Sequence, residues 1–213
     1  MDAYQLQPGD ILACYGSDWA SWWISFFTAS LRRPSQLRLG PSHVGIVVDH
    51  PSYGLILVES TSMCDRPCLF RGHPVSGVQA HYPEQRIGDY LADGGRVEVW
   101  RMNPYWSVEP SQYWEIVKGY FDKPQETLYD LRGALTSGTR ILCKILSWLE
   151  TDLGRLFCSE LVAATLMRLC RLPLHNATIY SPARLLRHLA RINVYQYVGP
   201  VTADFRVVRN EDE

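Results

Sequence analysis

The sequence lacks the features that define several large classes of protein. Its most apolar stretch, residues 19–31, is about 13 residues long, whereas a membrane-spanning helix needs roughly 20. Its 21 basic and 22 acidic residues nearly cancel, so the chain has no general attraction for nucleic acid, and no nucleic-acid partner is expected. It also has no long charge run, low-complexity tract or internal repeat, which argues against a disordered or repeat protein.

The sequence has neither the cysteine pattern of a disulfide scaffold nor the pattern of a secretion signal in its first residues. Six cysteines in 213 residues lack the density and spacing of a small secreted disulfide scaffold, so we expect mostly reduced thiols. The first ten residues have neither the basic start nor the apolar stretch of a signal peptide. The sequence therefore predicts a cytoplasmic protein.

The chain does have enough apolar residues, 46% of the total, for one packed domain spanning residues 1–213. Short β-branched or aromatic segments between turn formers predict strands at Gly9–Tyr15, Val44–Asp49, Leu55–Ser60, Arg96–Met102 and Phe205–Val208. Apolar spacings of three and four predict helices at Asp18–Leu31, Ser111–Phe121, Arg140–Leu149, Cys158–Leu169 and Pro182–Ala190. We expect an α+β fold with a mostly antiparallel sheet and irregular loops over segments 61–95 and 122–139.

The segment from residue 41 to residue 60 has the pattern of a β-hairpin. With the turn centred on Pro51, His43 would lie opposite Glu59 and Gly45 opposite Leu57. An imidazole would then meet a carboxylate on one face of the sheet. A register shifted by one residue would turn Glu59 to the other face, so the hairpin alone favours two ordinary polar residues at a strand edge.

A second candidate group is a cysteine at the start of an apolar helical run. Cys158 is expected in the first turn of the helix, where free N–H groups and the helix dipole favour thiolate over thiol. A nearby histidine would strengthen that preference. The other cysteines in apolar surroundings, Cys14, Cys143 and Cys170, are interpreted as small buried hydrophobes.

These segments, taken in chain order, resemble a known family. They read Leu-Gln-Pro-Gly-Asp-Ile-Leu at 6–12, Ser-His-Val-Gly-Ile-Val at 42–47, Val-Glu-Ser at 58–60, Tyr-Asp at 129–130, Phe-Cys-Ser-Glu-Leu-Val at 157–162 and Ser-Pro at 181–182. The chain resembles the permuted NlpC-type cysteine hydrolases, with the YiiX/YebB-like branch the most similar. The resemblance covers most of the chain, but segments 61–95 and 133–153 match poorly.

The resemblance implies a circularly permuted papain-like fold, with an antiparallel sheet packed against the helix that carries the cysteine. It makes Cys158 the nucleophile, His43 the general base and then acid, and Glu59 the group that orients the imidazole ring. The backbone N–H of Cys158 is the expected oxyanion donor. No cofactor or metal is required. Tyr129 is interpreted as a packing residue and is not assigned a catalytic role.

The implied reaction is cleavage of an amide or ester bond through an acyl-enzyme. The substrate is expected to be a peptide, such as a cell-wall peptide, or a lipid-like small molecule. The related lecithin retinol acyltransferase group makes acyl transfer to another molecule an alternative. A module that binds a lipid or a protein partner without catalysis is a further alternative, because fold and function separate readily.

Four other patterns compete with this interpretation. Cys64, Cys68, His73 and His81 could hold zinc, but their spacing departs from common zinc modules, and an incidental loop is favoured. Ser159 lacks the surroundings of a serine nucleophile. The aromatic residues between Trp19 and Phe27 are interpreted as core, with peripheral membrane contact as the alternative. The basic positions Arg184, Arg187, His188 and Arg191 are interpreted as a solvated helix face. The oligomeric state is left open.

Overall fold

The computed structural model describes residues 5–16, 40–61, 64–121, 153–174 and 176–202, with side chains from Cys158 onward in the fourth range. These residues form an α+β fold. Its strands are β1 Ile11–Tyr15, β2 His43–His50, β3 Gly54–Thr61, β4 Gly77–His81, β5 Arg96–Met102 and β6 Tyr195–Pro200. Its helices are α1 Pro83–Ala92, α2 Pro110–Phe121, α3 Leu153–Arg168 and α4 Pro182–Arg191. Short 3-10 turns lie at Pro104–Trp106 and Ala177–Ile179.

The six strands make one sheet in the order β4-β3-β2-β1-β5-β6, and every neighbouring pair is antiparallel. Because successive side chains of a strand point to opposite faces, each strand contributes to two cores. One face carries Val44, Ile46 and Val58 beneath α2, α3 and α4. The other carries Leu12 and Val47 and packs against α1 through residues such as Ile87. The central strands are therefore covered on both sides.

Most of the predicted elements that fall within the described residues are confirmed, with boundaries shifted by a few positions. The strand at Arg96–Met102 and the helix begun by the Ser181 cap and Pro182 are present as expected, and Ser181 Oγ accepts the N–H of Arg184. The predicted elements at Asp18–Leu31, Arg140–Leu149 and Phe205–Val208 lie outside the described residues, as do Tyr129 and segment 122–139.

The expectation of irregular loops over residues 61–95 is wrong. This segment contains β4 and α1. Helix α1 starts with Pro83 in its first turn and buries Ile87, both of which are recognisable helix signals. Strand β4 is short, and its alternate positions are polar residues that the structure buries, so its sequence lacks a clear strand pattern. Strand β6 was also not predicted. In the part of the chain that the structure describes, no helix is both long and apolar enough to cross a membrane.

The turn before β1 is anchored to three parts of the fold. Its Gly9 N–H donates to Val47 of β2, and its carbonyl accepts the Tyr195 hydroxyl of β6. The buried Asp10 carboxylate accepts two hydrogen bonds from Arg101 of β5, at 2.7 and 2.8 Å. This turn therefore ties the first strand to both its neighbours and to β6.

Gly9 has a positive φ of 90°, and an added Cβ would overlap the buried ring of Tyr113. We expect Gly9→Ala to lower the free energy of unfolding by about 2 kcal/mol or more, since backbone strain and overpacking add. Gly54→Ala is the matched control, because Gly54 also has a positive φ but has open space around it, and strain alone should cost about 1 kcal/mol. Urea unfolding of both variants measures the difference, and equal losses would contradict the overlap with Tyr113.

Candidate active site

The hairpin brings His43 and Glu59 into direct contact. His43 Nε2 lies 2.6 Å from Glu59 Oε2, and both side chains are buried. The expected register is wrong by two residues, since Val47 and not Gly45 lies opposite Leu57. Because side chains alternate with a period of two, a two-residue shift leaves His43 and Glu59 on the same face as a diagonal pair. The contact that the sequence predicted is therefore present in a different register.

Cys158 lies on the other side of the imidazole. It hydrogen-bonds to His43 and is fully buried. Since Nε2 of His43 faces Glu59, Nδ1 is the ring nitrogen left for the thiol. His43 is the first residue of β2, at the end of the strand, where groups from the two faces of the sheet can meet. The structure thus brings together all three residues that the sequence proposed for catalysis.

The protonation of His43 is controlled by these two neighbours. Burial by itself lowers its pKa, because it penalises the charged imidazolium. The charge and hydrogen bond of Cys158, followed by those of Glu59, outweigh burial and raise the pKa to about 9. This arrangement favours a protonated imidazole beside the Glu59 carboxylate at neutral pH.

The position of Cys158 within its helix differs from the expectation. Helix α3 begins at Leu153, so Cys158 is past the first turn. Only the first four N–H groups of a helix are left unpaired, so the backbone N–H of Cys158 is not a free donor for an oxyanion. The prediction failed because the apolar pattern becomes regular only at Cys158, whereas the helix extends one turn further towards its N-terminus.

The carboxylate of Glu59 has a second partner that the sequence did not indicate. Arg86 of α1 places Nε at 2.6 Å from Oε1 and Nη2 at 3.4 Å from Oε2. Burial alone would raise the pKa of Glu59, but the Arg86 charge and the His43 contact lower it well below its usual range. Recognising α1 from Pro83 and Ile87 would have placed Arg86 on the buried side of a helix, but not against Glu59.

Arg86 is itself held by other side chains of α1, one of which also binds the loop between β3 and β4. Its Nη1 lies 3.2 Å from Asp89, which also forms two 2.6 Å hydrogen bonds with Arg66. The guanidinium lies over the ring of Tyr90, and that ring is stacked at 6.5 Å from the ring of His43. Helix α1 therefore fixes the charge next to Glu59 and also supports the imidazole.

The four residues considered for zinc do not converge. His73 is exposed, and Cys68 Sγ accepts the N–H of Ala80. Cys64 Sγ lies 3.7 Å from Nε2 of His81, and these two residues and Glu59 have potential ligand atoms within 4.8 Å of one another. A cation there would lie beside the positive guanidinium of Arg86, which already forms an ion pair with Glu59. These residues therefore fit a metal poorly.

The remaining alternatives also have structural interpretations. Ser159 donates its hydroxyl to the carbonyl of Tyr180, 2.5 Å away. Arg184, Arg187 and Arg191 are exposed on α4, as expected of a solvated face, while His188 contacts the Tyr180 hydroxyl at 2.9 Å. The aromatic residues between Trp19 and Phe27 lie outside the described residues.

Comparison with known proteins adds no relative: no protein-family model, curated protein or solved structure matches the chain. The functional interpretation therefore rests on the motifs and on the geometry of these side chains.

The raised pKa of His43 can be tested directly. We expect its imidazole to titrate near pH 9 in the wild-type protein and at a clearly lower pH in Cys158→Ala, because Cys158 contributes most to raising it. The measurement is a pH series of imidazole signals by NMR. His50, at the other end of β2, is the internal control and should titrate identically in both proteins. An unchanged midpoint for His43 would show that Cys158 does not act on it.

Proposed function

We propose that this protein is a cysteine hydrolase that cleaves an amide or ester bond through an acyl-enzyme. The observation that carries the proposal is the contact of one imidazole with two partners, the Glu59 carboxylate at 2.6 Å and the Cys158 thiol. A cysteine nucleophile needs a base within hydrogen-bond reach and a third group that orients the base. His43 and Glu59 have the geometry for these two roles.

The family resemblance and the fold support the same proposal. In a permuted papain-like hydrolase the histidine strand precedes the cysteine helix, and here β2 precedes α3. Helix α3 packs on β2 and β3, the two strands that carry His43 and Glu59. We therefore assign the chain to a circularly permuted papain-like fold of the NlpC type as part of this proposal.

The reaction would proceed in two steps. The thiolate of Cys158 attacks the carbonyl carbon, and protonated His43 gives its proton to the leaving amine or alcohol as the C–N or C–O bond breaks. His43, now neutral, takes a proton from water as the water oxygen attacks the thioester, and breaking the C–S bond releases the acid and restores the Cys158 thiolate beside protonated His43. Glu59 holds Nε2 throughout and so keeps Nδ1 directed at the reacting atoms. No cofactor is needed.

Acyl transfer is the second candidate. Cys158 is 0% exposed, so substrate, acceptor and water all need a local opening of the site to reach the thiol. A site that excludes water protects an acyl-enzyme from hydrolysis and allows an amine or alcohol acceptor to take the acyl group. The substrate would again be a peptide or a lipid-like acyl compound. Product analysis with and without an added acceptor separates the two reactions.

The proposal predicts a specific pattern among three variants. Cys158→Ala and His43→Ala should reduce turnover of a panel of amide and ester substrates to background. Glu59→Gln should keep a residual activity, roughly 100-fold or more below wild type, because the carboxylate orients the base but does not touch the substrate. Initial rates and the mass of a trapped acyl-enzyme on Cys158 provide the measurement.

Cys170→Ala is the matched control. The interpretation of Cys170 as a buried residue is wrong, since it is exposed just after α3, and it should be dispensable. Full activity of His43→Ala would refute the assignment of the base. Ligand binding that persists in Cys158→Ala, with no turnover of any acyl substrate by the wild-type protein, would favour the non-catalytic binding module.

A further inference from the structure

The charged groups of the site form an unbroken chain that leads from the surface to the thiol. Asp89 contacts both Arg66 and Arg86, Arg86 contacts Glu59, and Glu59 contacts His43, at distances of 2.6 to 3.4 Å. Cys158 completes the chain through its hydrogen bond to His43. Arg66 and Asp89 are 39% and 30% exposed, whereas the inner members are buried.

The signs of the charges along this chain alternate. With a thiolate and an imidazolium, the order is Arg66 positive, Asp89 negative, Arg86 positive, Glu59 negative, His43 positive and Cys158 negative. Each charge thus has an opposite charge as its neighbour, and the six sum to zero. Burying a net charge is expensive, whereas a paired and hydrogen-bonded set can be tolerated.

The other titratable groups around Glu59 leave this balance unchanged. They are Cys14 on β1, Cys64 after β3, His81 on β4 and Tyr90 on α1. Burial raises the pKa values of Cys14, Cys64 and Tyr90, which therefore remain protonated and neutral. Burial lowers the pKa of His81, so this side chain is also favoured in its neutral form.

We propose that Arg86 is a positioning residue of the active site, which neutralises Glu59 so that the buried cluster can hold Cys158 as a thiolate beside a protonated His43. This inference rests on the proposed cysteine hydrolase function and adds a residue that the three-residue site does not contain. Without Arg86 the inner cluster of Glu59, His43 and Cys158 carries a net negative charge. Taking up a proton on the thiolate restores neutrality while keeping the Glu59–His43 ion pair.

The test follows the thiolate of Cys158 by its ultraviolet absorbance as a function of pH. Each protein is compared with the same protein carrying Cys158→Ser, so that the other cysteines cancel and access to the thiol does not matter. We expect Arg86→Met to raise the midpoint of thiolate formation by about one pH unit or more, because removal of a nearby positive charge disfavours the anion. Arg86→Lys should keep most of the wild-type behaviour.

A double variant separates this charge effect from a structural one. Arg86→Met combined with Glu59→Gln removes one charge of each sign, so the midpoint should return to within about half a pH unit of wild type. Added damage to the fold would not be repaired in this way. The double variant also leaves no unpaired buried carboxylate, so it should fold even if Arg86→Met does not. Arg184→Met, on the exposed face of α4, is the control and should not shift the midpoint.

The outcomes distinguish this inference from the proposed function. Equal midpoints for wild type and Arg86→Met would overturn the role of Arg86, as would a double variant whose midpoint stays as high as that of the single variant. A wild-type midpoint at the ordinary thiol value of about 8.5 would count against an activated Cys158–His43 pair. The shift between wild type and Arg86→Met would still measure the coupling to Arg86 in that case.

Discussion

The arrangement of the site depends on one buried carboxylate. Glu59 is 0% exposed and yet stays ionised, because Arg86 and His43 each contact it at 2.6 Å. A carboxylate without such partners would take up a proton on burial and would lose the negative charge that stabilises a protonated imidazole. The positions of β2, β3 and α1 relative to one another are thus linked by a single charge.

The two-sided sheet explains how residues from distant parts of the chain reach this charge. Arg86 approaches from α1 on one face, and Cys158 belongs to α3, which covers the other. They act on the same imidazole because His43 stands at the end of β2. Regular strands and helices hold these side chains in fixed positions, as the proposed reaction requires. Among the residues that the structure describes, Asp89 and Arg66 connect these charges to the surface.

Some details of the site could be read from the chain and others could not. The period of two in β2 and β3 predicted that His43 and Glu59 lie on one face. That prediction is correct although the predicted register is wrong, because a shift of two residues leaves each side chain on the same face. The prediction for the start of α3 is wrong, because the pattern of apolar side chains does not show where the helical backbone begins. The prediction of the Cys158 N–H as oxyanion donor depended on that start and is wrong for the same reason. The strand at Phe205–Val208 and the early aromatic helix stay predictions.

The sequence by itself determined the strands of the hairpin and the chain order of the three chemical groups, since these depend on local periodicity and residue type. It indicated a common face for His43 and Glu59, and the structure decided the register that places them there. Only the tertiary structure decided that Arg86 meets Glu59, that Cys158 reaches His43, and that Cys64 and His81 lie beside a carboxylate already in use. Contacts between distant residues depend on how the helices cover the sheet. Which distant cation neutralises a buried anion is therefore a property of the packed fold.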